Sequence, residues 1–146
     1  MKKILLARPH PFLVQEMSQF LLEEGYFIEP LRSFSELSIQ VENSSAVIIS
    51  TAVSATIQES AREVFAGLYK YAIPTIFAGL LGVAQARSLI QEAVQDFYSE
   101  PLIVSAESQE RELIDARRPF LFICRDDLKH LDSRAKIARL LLRFMG

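Results

Sequence analysis

Cysteine and histidine are scarce in this 146-residue sequence, and their scarcity excludes several kinds of site. The single cysteine, Cys124, rules out an internal disulfide and, with only two histidines, most zinc-binding patterns. Cys124 ends the apolar run Phe120–Cys124, which favours a buried and unreactive thiol. No apolar stretch approaches the roughly 18 residues of a membrane span, and the start of the chain lacks the apolar core of a secretory signal. We therefore expect a cytoplasmic protein.

Strong charge of either sign is also missing. The net charge is −2, with 7 Lys/Arg against 11 Asp/Glu in residues 1–100 and 9 against 7 in residues 101–146. This mildly basic tail is far weaker than a nucleic-acid-binding arm, so we expect no nucleic-acid partner. A chain of this length buries roughly 68–70% of its unfolded surface in one core, which favours a single domain.

Short apolar runs alternate with segments of helical periodicity, a pattern typical of a parallel sheet covered by helices on both faces. The predicted strands are Lys2–Ala7, Tyr26–Leu31, Ala46–Ile49, Pro74–Ala78, then either 96–99 or 102–104, and finally Phe120–Cys124. The predicted helices cover 11–24, 34–41, a stretch after position 54, the segment from Val83 to Val94, residues 107–116, and a long C-terminal segment ending near Met145. Pro30 cannot donate to a ladder, so the second strand is predicted near an edge.

Two helices have boundaries and faces that the sequence predicts in detail. The first should place four apolar residues on its core side: Val14, Met17, Phe20 and Leu21. The third should be capped by Ser54, with Thr56 and Glu59 as an alternative capping pair.

Three stretches resemble the receiver domain of two-component response regulators. Lys2–Tyr26 looks like the first strand, first helix and Gly-aromatic exit, Ala46–Ser50 like the third strand, and Pro74–Pro101 like strand four, helix four and strand five with its following proline. The resemblance implies a flavodoxin-like doubly wound parallel α/β sheet with strand order 2-1-3-4-5. We expect one domain over residues 1–146, with a receiver-like core (1–118) and a C-terminal extension of one extra strand and helix (119–146).

The resemblance also implies which positions would hold the chemistry. In that family a phosphoryl group moves to an aspartate that ends strand three, and two acidic residues after strand one hold magnesium. A Ser/Thr ends strand four, and a lysine ends strand five before a proline whose preceding bond is usually cis. The residues at these positions here are Arg8 and Pro9, Ser50 or Thr51, Ala78 or Gly79, Glu100 and Pro101.

Of these, Pro101 alone keeps the family's residue, and the substitutions oppose phosphorylation. A guanidinium repels a divalent cation, and a serine is a poor substitute for the carboxylate of an acyl phosphate. The loop Gly79-Leu80-Leu81-Gly82 also lacks the Lys-Ser/Thr of a phosphate-binding loop. We therefore expect no metal, no cofactor and no enzymatic activity, and a pseudo-receiver that serves as a protein-interaction module in bacterial signalling.

An alternative use of the same edge is a ligand-binding or enzymatic crevice, the usual ligand position in such sheets. Ser50 or Thr51, His10 and Glu100 would then be nucleophile, base and orienting group, although His10 between two prolines is also an ordinary surface residue. Arg8 and Glu100 either form an ion pair that locks the loops or remain two independent solvated side chains.

The predicted C-terminal helix combines a wide apolar side with a basic side. Its basic residues are Lys129, Arg134, Lys136, Arg139 and Arg143. Such a helix either packs on the core with a solvated basic face or docks a protein partner or a second copy, with a membrane surface the least favoured. The candidate partner-binding residues are Leu131, Arg134, Leu141, Leu142 and Met145.

Overall fold

The computed structural model describes residues 2–52, 57–108 and 119–145, which form one parallel sheet with helices on both faces. The strands are β1 (Lys3–Arg8), β2 (Phe27–Pro30), β3 (Ala46–Ser50), β4 (Thr75–Gly79), β5 (Ile103–Val104) and β6 (Phe120–Cys124). The helices are α1 (Ser18–Glu23, preceded by a π-helical turn, Leu13–Met17), α2 (Leu37–Glu42), α3 (Ala61–Leu68), α4 (Val83–Val94) and α5 (Leu131–Met145). Short 3-10 turns cover Phe34–Glu36, Tyr69–Tyr71 and Arg125–Leu128.

The central strands are apolar along their length because both faces of the sheet are covered. Side chains alternate across a strand, so Ile4 and Leu6 of β1 face one helical layer and Leu5 faces the other. The first layer contains α1 and α5, and the second contains α2, α3 and α4. This arrangement is the doubly wound α/β class that the sequence predicts.

The strand order is β2-β1-β3-β4-β6-β5, which agrees with the predicted order as far as β4 and differs beyond it. β6 pairs with β4 from Ile76–Leu121 to Gly79–Cys124, while β5 lies outside it at the edge. β6 takes the inner position because it is longer than β5 and has more buried residues. β6 has five residues of which the first four are buried, whereas β5 has two residues and suits an edge.

This order also corrects the predicted division of the chain at position 118. Residues 119–145 are no extension of a finished core, because β6 is an inner strand of the sheet and α5 covers one of its faces. Of the two candidate segments for the fifth strand, 102–104 is confirmed within one residue. The predicted helix at 107–116 lies mostly outside the described residues.

Two local expectations are wrong for identifiable reasons. Val14 is 46% exposed and Leu13 is buried instead, because the wider π-helical turn moves the core side by one residue.

α3 begins at Ala61, where the Ser60 hydroxyl accepts the Glu63 N–H (3.2 Å) and the Glu63 carboxylate accepts the Ser60 N–H (3.0 Å). Glu59 therefore belongs to no capping pair of α3, and Ser54 and Thr56 lie outside the described residues.

Candidate functional site

The carboxyl ends of β1, β3 and β4 bring together most of the residues that the sequence singles out. Arg8 is the last residue of β1, and Ser50, the last of β3, lies opposite Ala78 of β4. The N–H of Thr51 donates to the carbonyl of Ala78 (2.9 Å), which extends the pairing by one residue and places Thr51 against Gly79. These five residues form what we call the carboxyl-edge cluster.

Arg8 lies at the centre of the cluster with its side chain buried, only 5% exposed. Its Nη1 donates to the carbonyl of Ser50 (3.0 Å) and to that of Ala52, and its Nε donates to the carbonyl of Glu59 (3.1 Å). Carbonyl groups beyond the end of a strand have no ladder partner, so a buried edge needs donors from elsewhere. The planar guanidinium supplies several donors in fixed directions and therefore fastens the segment after β3 to the end of β1.

Burial lowers the pKa of Arg8 from its usual value of 12.5 because water no longer solvates the charged form. An arginine keeps its proton at neutral pH even after such a shift. The edge therefore contains a permanent positive charge, held by main-chain oxygens.

The two hydroxyls of the cluster have local roles. Ser50 is 2% exposed, and its Oγ accepts the N–H of Ala52 (3.0 Å). Thr51 Oγ1 lies 3.4 Å from the carbonyl of Ala78, and a Cβ added to Gly79 would collide with it. A side chain at position 79 would therefore force the Thr51 hydroxyl to move.

His10 and Pro9 follow β1 at the same edge. Pro9 is buried, and Nδ1 of His10 accepts the N–H of Phe12 (3.2 Å), a local turn that leads into the first helical segment. Within the described residues no hydrogen bond joins His10 to Ser50 or Thr51. The nucleophile–base arrangement that the sequence allowed is not formed among the described residues, and that alternative stays a prediction.

Glu100 and Pro101 are the two predicted members that the structure places elsewhere. They precede β5, so they lie at the amino edge of the sheet, and β5 is four strands from β1, about 19 Å across the sheet at ~4.8 Å a strand. Among the described residues no ion pair joins Arg8 to Glu100, and no peptide bond there is cis. The predicted lock between these two residues is wrong, because the strand beside β4 is β6.

The sequence predicts the strand Phe120–Cys124 with its observed bounds, but not that its carboxyl end lies beside β4 at the candidate site. Cys124 lies opposite Gly79, and its N–H donates to Oδ2 of Asp127 (2.9 Å), which caps the turn that follows. Burial raises the pKa of the Cys124 thiol. An acidic residue three positions after an apolar run is a capping signal for the strand end, but it carries no information about which strand lies next to it.

These residues do not fit the magnesium ion that the resemblance implies. A hard divalent cation needs several oxygen ligands, preferably carboxylates, whereas the cluster contributes a guanidinium and two hydroxyls already bonded to the main chain. Across the described ranges no three His, Cys, Asp or Glu side chains come together as metal ligands.

The predicted partner-binding residues of α5 divide into exposed and buried ones. Leu131 is 85% exposed and Leu142 is 66% exposed, whereas Leu141 is fully buried against the sheet and is unavailable to a partner. Arg134 pairs with Glu23 of α1 and lies over the ring of Phe20, 4.8 Å from its centroid. Arg134 therefore joins α5 to α1.

One side of α5, at the border of its buried face, presents an apolar stripe. Its members are Leu131, Ala135, Ala138, Leu142 and Met145, which we call the α5 stripe. Leu131, Ala135 and Leu142 are exposed, whereas Ala138 and Met145 are partly buried against the core. Their spacing of 4, 3, 4 and 3 residues places them along one side of the helix, as in the seam of a coiled coil.

None of the helices in the described ranges has the length and the apolar composition that a membrane span requires.

No protein-family model matches this chain, and no curated protein matches it in sequence. Its structure is similar to the crystal structure of a response regulator receiver domain protein from Clostridium thermocellum, with a TM-score of 0.56. That match covers 99% of this chain and 94% of the other, at 14% sequence identity. At this identity the likeness establishes the fold alone, and the chain has a receiver-like fold.

Proposed function

We propose that this protein is a non-catalytic, receiver-like module that regulates a bacterial signalling protein by binding it, without being phosphorylated. The observation that supports the proposal most is the buried Arg8 guanidinium, bonded to the carbonyls of Ser50, Ala52 and Glu59. By the resemblance, Arg8 stands where a receiver domain has an acidic ligand of magnesium.

Transfer of a phosphoryl group to a receiver domain needs a carboxylate acceptor and a metal ion that neutralises the developing charge. At this edge the acceptor position is Ser50, whose hydroxyl is buried, and a fixed guanidinium holds the adjoining segment. The same filling of the edge opposes the alternative function, a ligand or substrate crevice at the carboxyl ends of the strands. We infer that the edge keeps one arrangement and that regulation depends on what the outer surface binds.

The outer surface best suited to a protein partner is the α5 stripe. It extends over 15 residues, from Leu131 to Met145, so its ends are about 21 Å apart at 1.5 Å for each of the 14 steps. Two leucines are strongly exposed, and the small Ala135 and Ala138 between them let another helix approach closely. We therefore propose that the occupant is an amphipathic helix of a partner protein.

Charge favours a different protein over a second copy as the source of that helix. α5 has four basic residues and one acidic residue, Asp132, and Arg134 among the basic ones is paired with Glu23 of α1. Two copies packed through this stripe would bring like charges together, whereas a partner helix flanked by acidic residues would complement them.

The claim that the protein is not phosphorylated is tested by adding magnesium and beryllofluoride to the ¹⁵N-labelled full chain. We expect no saturable amide shifts at Arg8, Ser50 or Thr51. A phosphorylatable receiver domain in the same buffer is the positive control. Saturable shifts confined to this edge would overturn the proposal.

The docking claim is tested by affinity capture with the full chain, because removing residues 119–146 would delete the inner strand β6. The variant is Leu131→Asp with Leu142→Asp, and the matched control is Ile39→Asp, which changes an equally exposed residue (63%) on α2, in the other helical layer. We expect the wild type and the control to retain one protein that the double variant loses at least tenfold.

A photo-crosslinking amino acid at position 142 then identifies what the stripe contacts. A cross-link to an acid-flanked helix of the captured protein supports the proposal. Cross-linking to a second copy, with a dimer in size-exclusion chromatography, would contradict the hetero-partner, and equal capture by all variants would contradict docking at α5.

A further inference from the structure

A cavity of about 210 Å³ lies at the amino edge of the sheet, opposite the carboxyl-edge cluster. It is bounded by the first residues of two inner strands, Thr75 of β4 and Phe120 of β6. The end of α3 closes it from one helical layer and the end of α5, at Phe144, from the other. None of the functional residues discussed above for the carboxyl edge lines it.

Aromatic rings are the largest group among the twelve residues that line this cavity, and Arg143 of α5 also lines it. The five rings are Phe65, Tyr69, Tyr98, Phe120 and Phe144. Phe120 meets Phe65 and Tyr98 edge to face, with ring centroids 5.5 and 5.2 Å apart. Because these rings hold one another in place, the walls are formed before anything binds.

One of the lining rings belongs to a partly exposed ring pair. Tyr69 is 37% exposed, and its ring stacks on that of Phe97 with centroids 4.1 Å apart. A buried hydroxyl contributes polarity to the lining, since Thr75 donates to the carbonyl of Ile73 (3.1 Å) and so offers its oxygen as an acceptor. The site thus combines a cluster of rings with a hydroxyl and a guanidinium.

Volume and lining together define the ligand class. An apolar cavity of about 150 Å³ is large enough for benzene, so 210 Å³ admits one substituted ring or a fused pair of rings. Most nucleotide- and drug-sized pockets are larger, at roughly 300–1,000 Å³. We propose that this cavity binds a small planar aromatic molecule of one or two rings.

The proposed ligand site does not rest on the proposed signalling function. It contains no residue of the carboxyl-edge cluster or of the α5 stripe, although Arg143 and Phe144 of α5 line it. Its test is a titration of the ¹⁵N-labelled full chain with indole. We expect saturable shifts at Ile73, Thr75, Tyr98 and Phe120, with a dissociation constant at or below the millimolar range. Absence of saturable shifts up to the solubility limit of indole would overturn the proposal.

A variant that fills the cavity separates specific binding from adsorption to exposed rings. Ile73→Phe adds bulk to the lining, and Ile39→Phe makes the same substitution at an exposed site on α2. We expect indole to bind at least tenfold more weakly to the first variant and unchanged to the second.

Because Ile73→Phe can disturb folding, a second measurement uses the unmodified protein. Intermolecular NOEs from indole to the methyl groups of Ile73 and Thr75 would support the site. NOEs confined to other residues, or equal affinity in both variants, would contradict it.

Discussion

The two edges of this sheet are closed by different kinds of interaction. At the carboxyl edge, one buried arginine donates to three main-chain carbonyls, and the Ser50 hydroxyl accepts a main-chain N–H. At the amino edge, rings from α3, β4 and β6 pack against one another and leave a cavity beside them.

The difference follows from what each edge must satisfy. Carbonyl groups beyond the strand ends need directed donors, and a guanidinium meets several of them while filling the space between. Rigid rings prefer offset and edge-to-face contacts, which need not fill space completely. The edge that usually binds ligands in such sheets is therefore filled here, and the opposite edge has the room.

The largest effect we expect at the amino edge comes from Phe120→Ala. Phe120 is 4% exposed and packs against the rings of Phe65, Phe77 and Tyr98, so its removal leaves a void between the sheet and α3. We expect the free energy of unfolding to fall by about 3–5 kcal/mol, measured by urea denaturation. Phe27→Ala, at a ring 59% exposed, is the matched control and should cost well under 1 kcal/mol, roughly the level of surface substitutions. Similar losses in the free energy of unfolding for both variants would contradict the view that ring packing stabilises this edge.

The matching change at the carboxyl edge is Arg8→Met, which keeps much of the side-chain length and removes every donor. Buried carbonyls left without donors cost about 1–3 kcal/mol each before water reaches them, so we expect a net loss of roughly 2–3 kcal/mol. Arg87→Met, on the exposed side of α4, is the control and should change the free energy of unfolding by less than about 0.5 kcal/mol.

Arg8→Lys tests whether the charge or the geometry of the donors causes that loss of stability. Lysine keeps the charge but offers its donors from a single point, so it should recover less than half of the stability lost in Arg8→Met. Full recovery would show that charge alone holds the edge, and an unchanged stability in Arg8→Met would contradict the role of the carbonyl contacts.

Much of the fold could be predicted from the sequence, and the reason is visible in the inner strands. Apolar runs such as Ala46–Ile49 are buried on both faces, so their pattern is unambiguous. The order of the last two strands could not be predicted, because pairing between β4 and β6 depends on contacts more than 40 residues apart in sequence. The resemblance to receiver domains places the fifth strand beside the fourth, so it assigned Glu100 to the carboxyl edge. The structure places Cys124 there instead.

The candidate site shows the same limit at the level of single residues. The sequence identified Arg8 and Ser50 as the members that alter the chemistry, and the structure places both at the carboxyl edge. It could not show that Arg8 binds main-chain carbonyls, because those groups have no sequence signature. The aromatic cavity was missed for a related reason, since its five rings come from four separate segments of the chain.

A smaller effect tests the close packing of the carboxyl edge at Gly79. A methyl group there would collide with Thr51 Oγ1, so we expect Gly79→Ala to lower the free energy of unfolding by about 1–3 kcal/mol. Thr51→Ala removes the colliding oxygen, and the double variant should be less destabilised than the sum of the two single ones. Additive losses, measured in a double-mutant cycle, would show that the glycine is needed for another reason.

The smallest effect concerns Ser60, which caps α3 one residue after the Glu59 carbonyl that Arg8 binds. Ser60→Ala removes the acceptor for the Glu63 N–H and should cost about 1 kcal/mol, whereas Ser54→Ala should leave the cap of α3 intact. If the carboxyl edge is one cooperative unit, the variant with both Ser60→Ala and Arg8→Met will lose less free energy of unfolding than the two single variants together. The reason is that loss of the arginine contacts already loosens the segment before α3. Strict additivity would instead show that the cap and the arginine stabilise that segment independently, so that the carboxyl edge is not one cooperative unit.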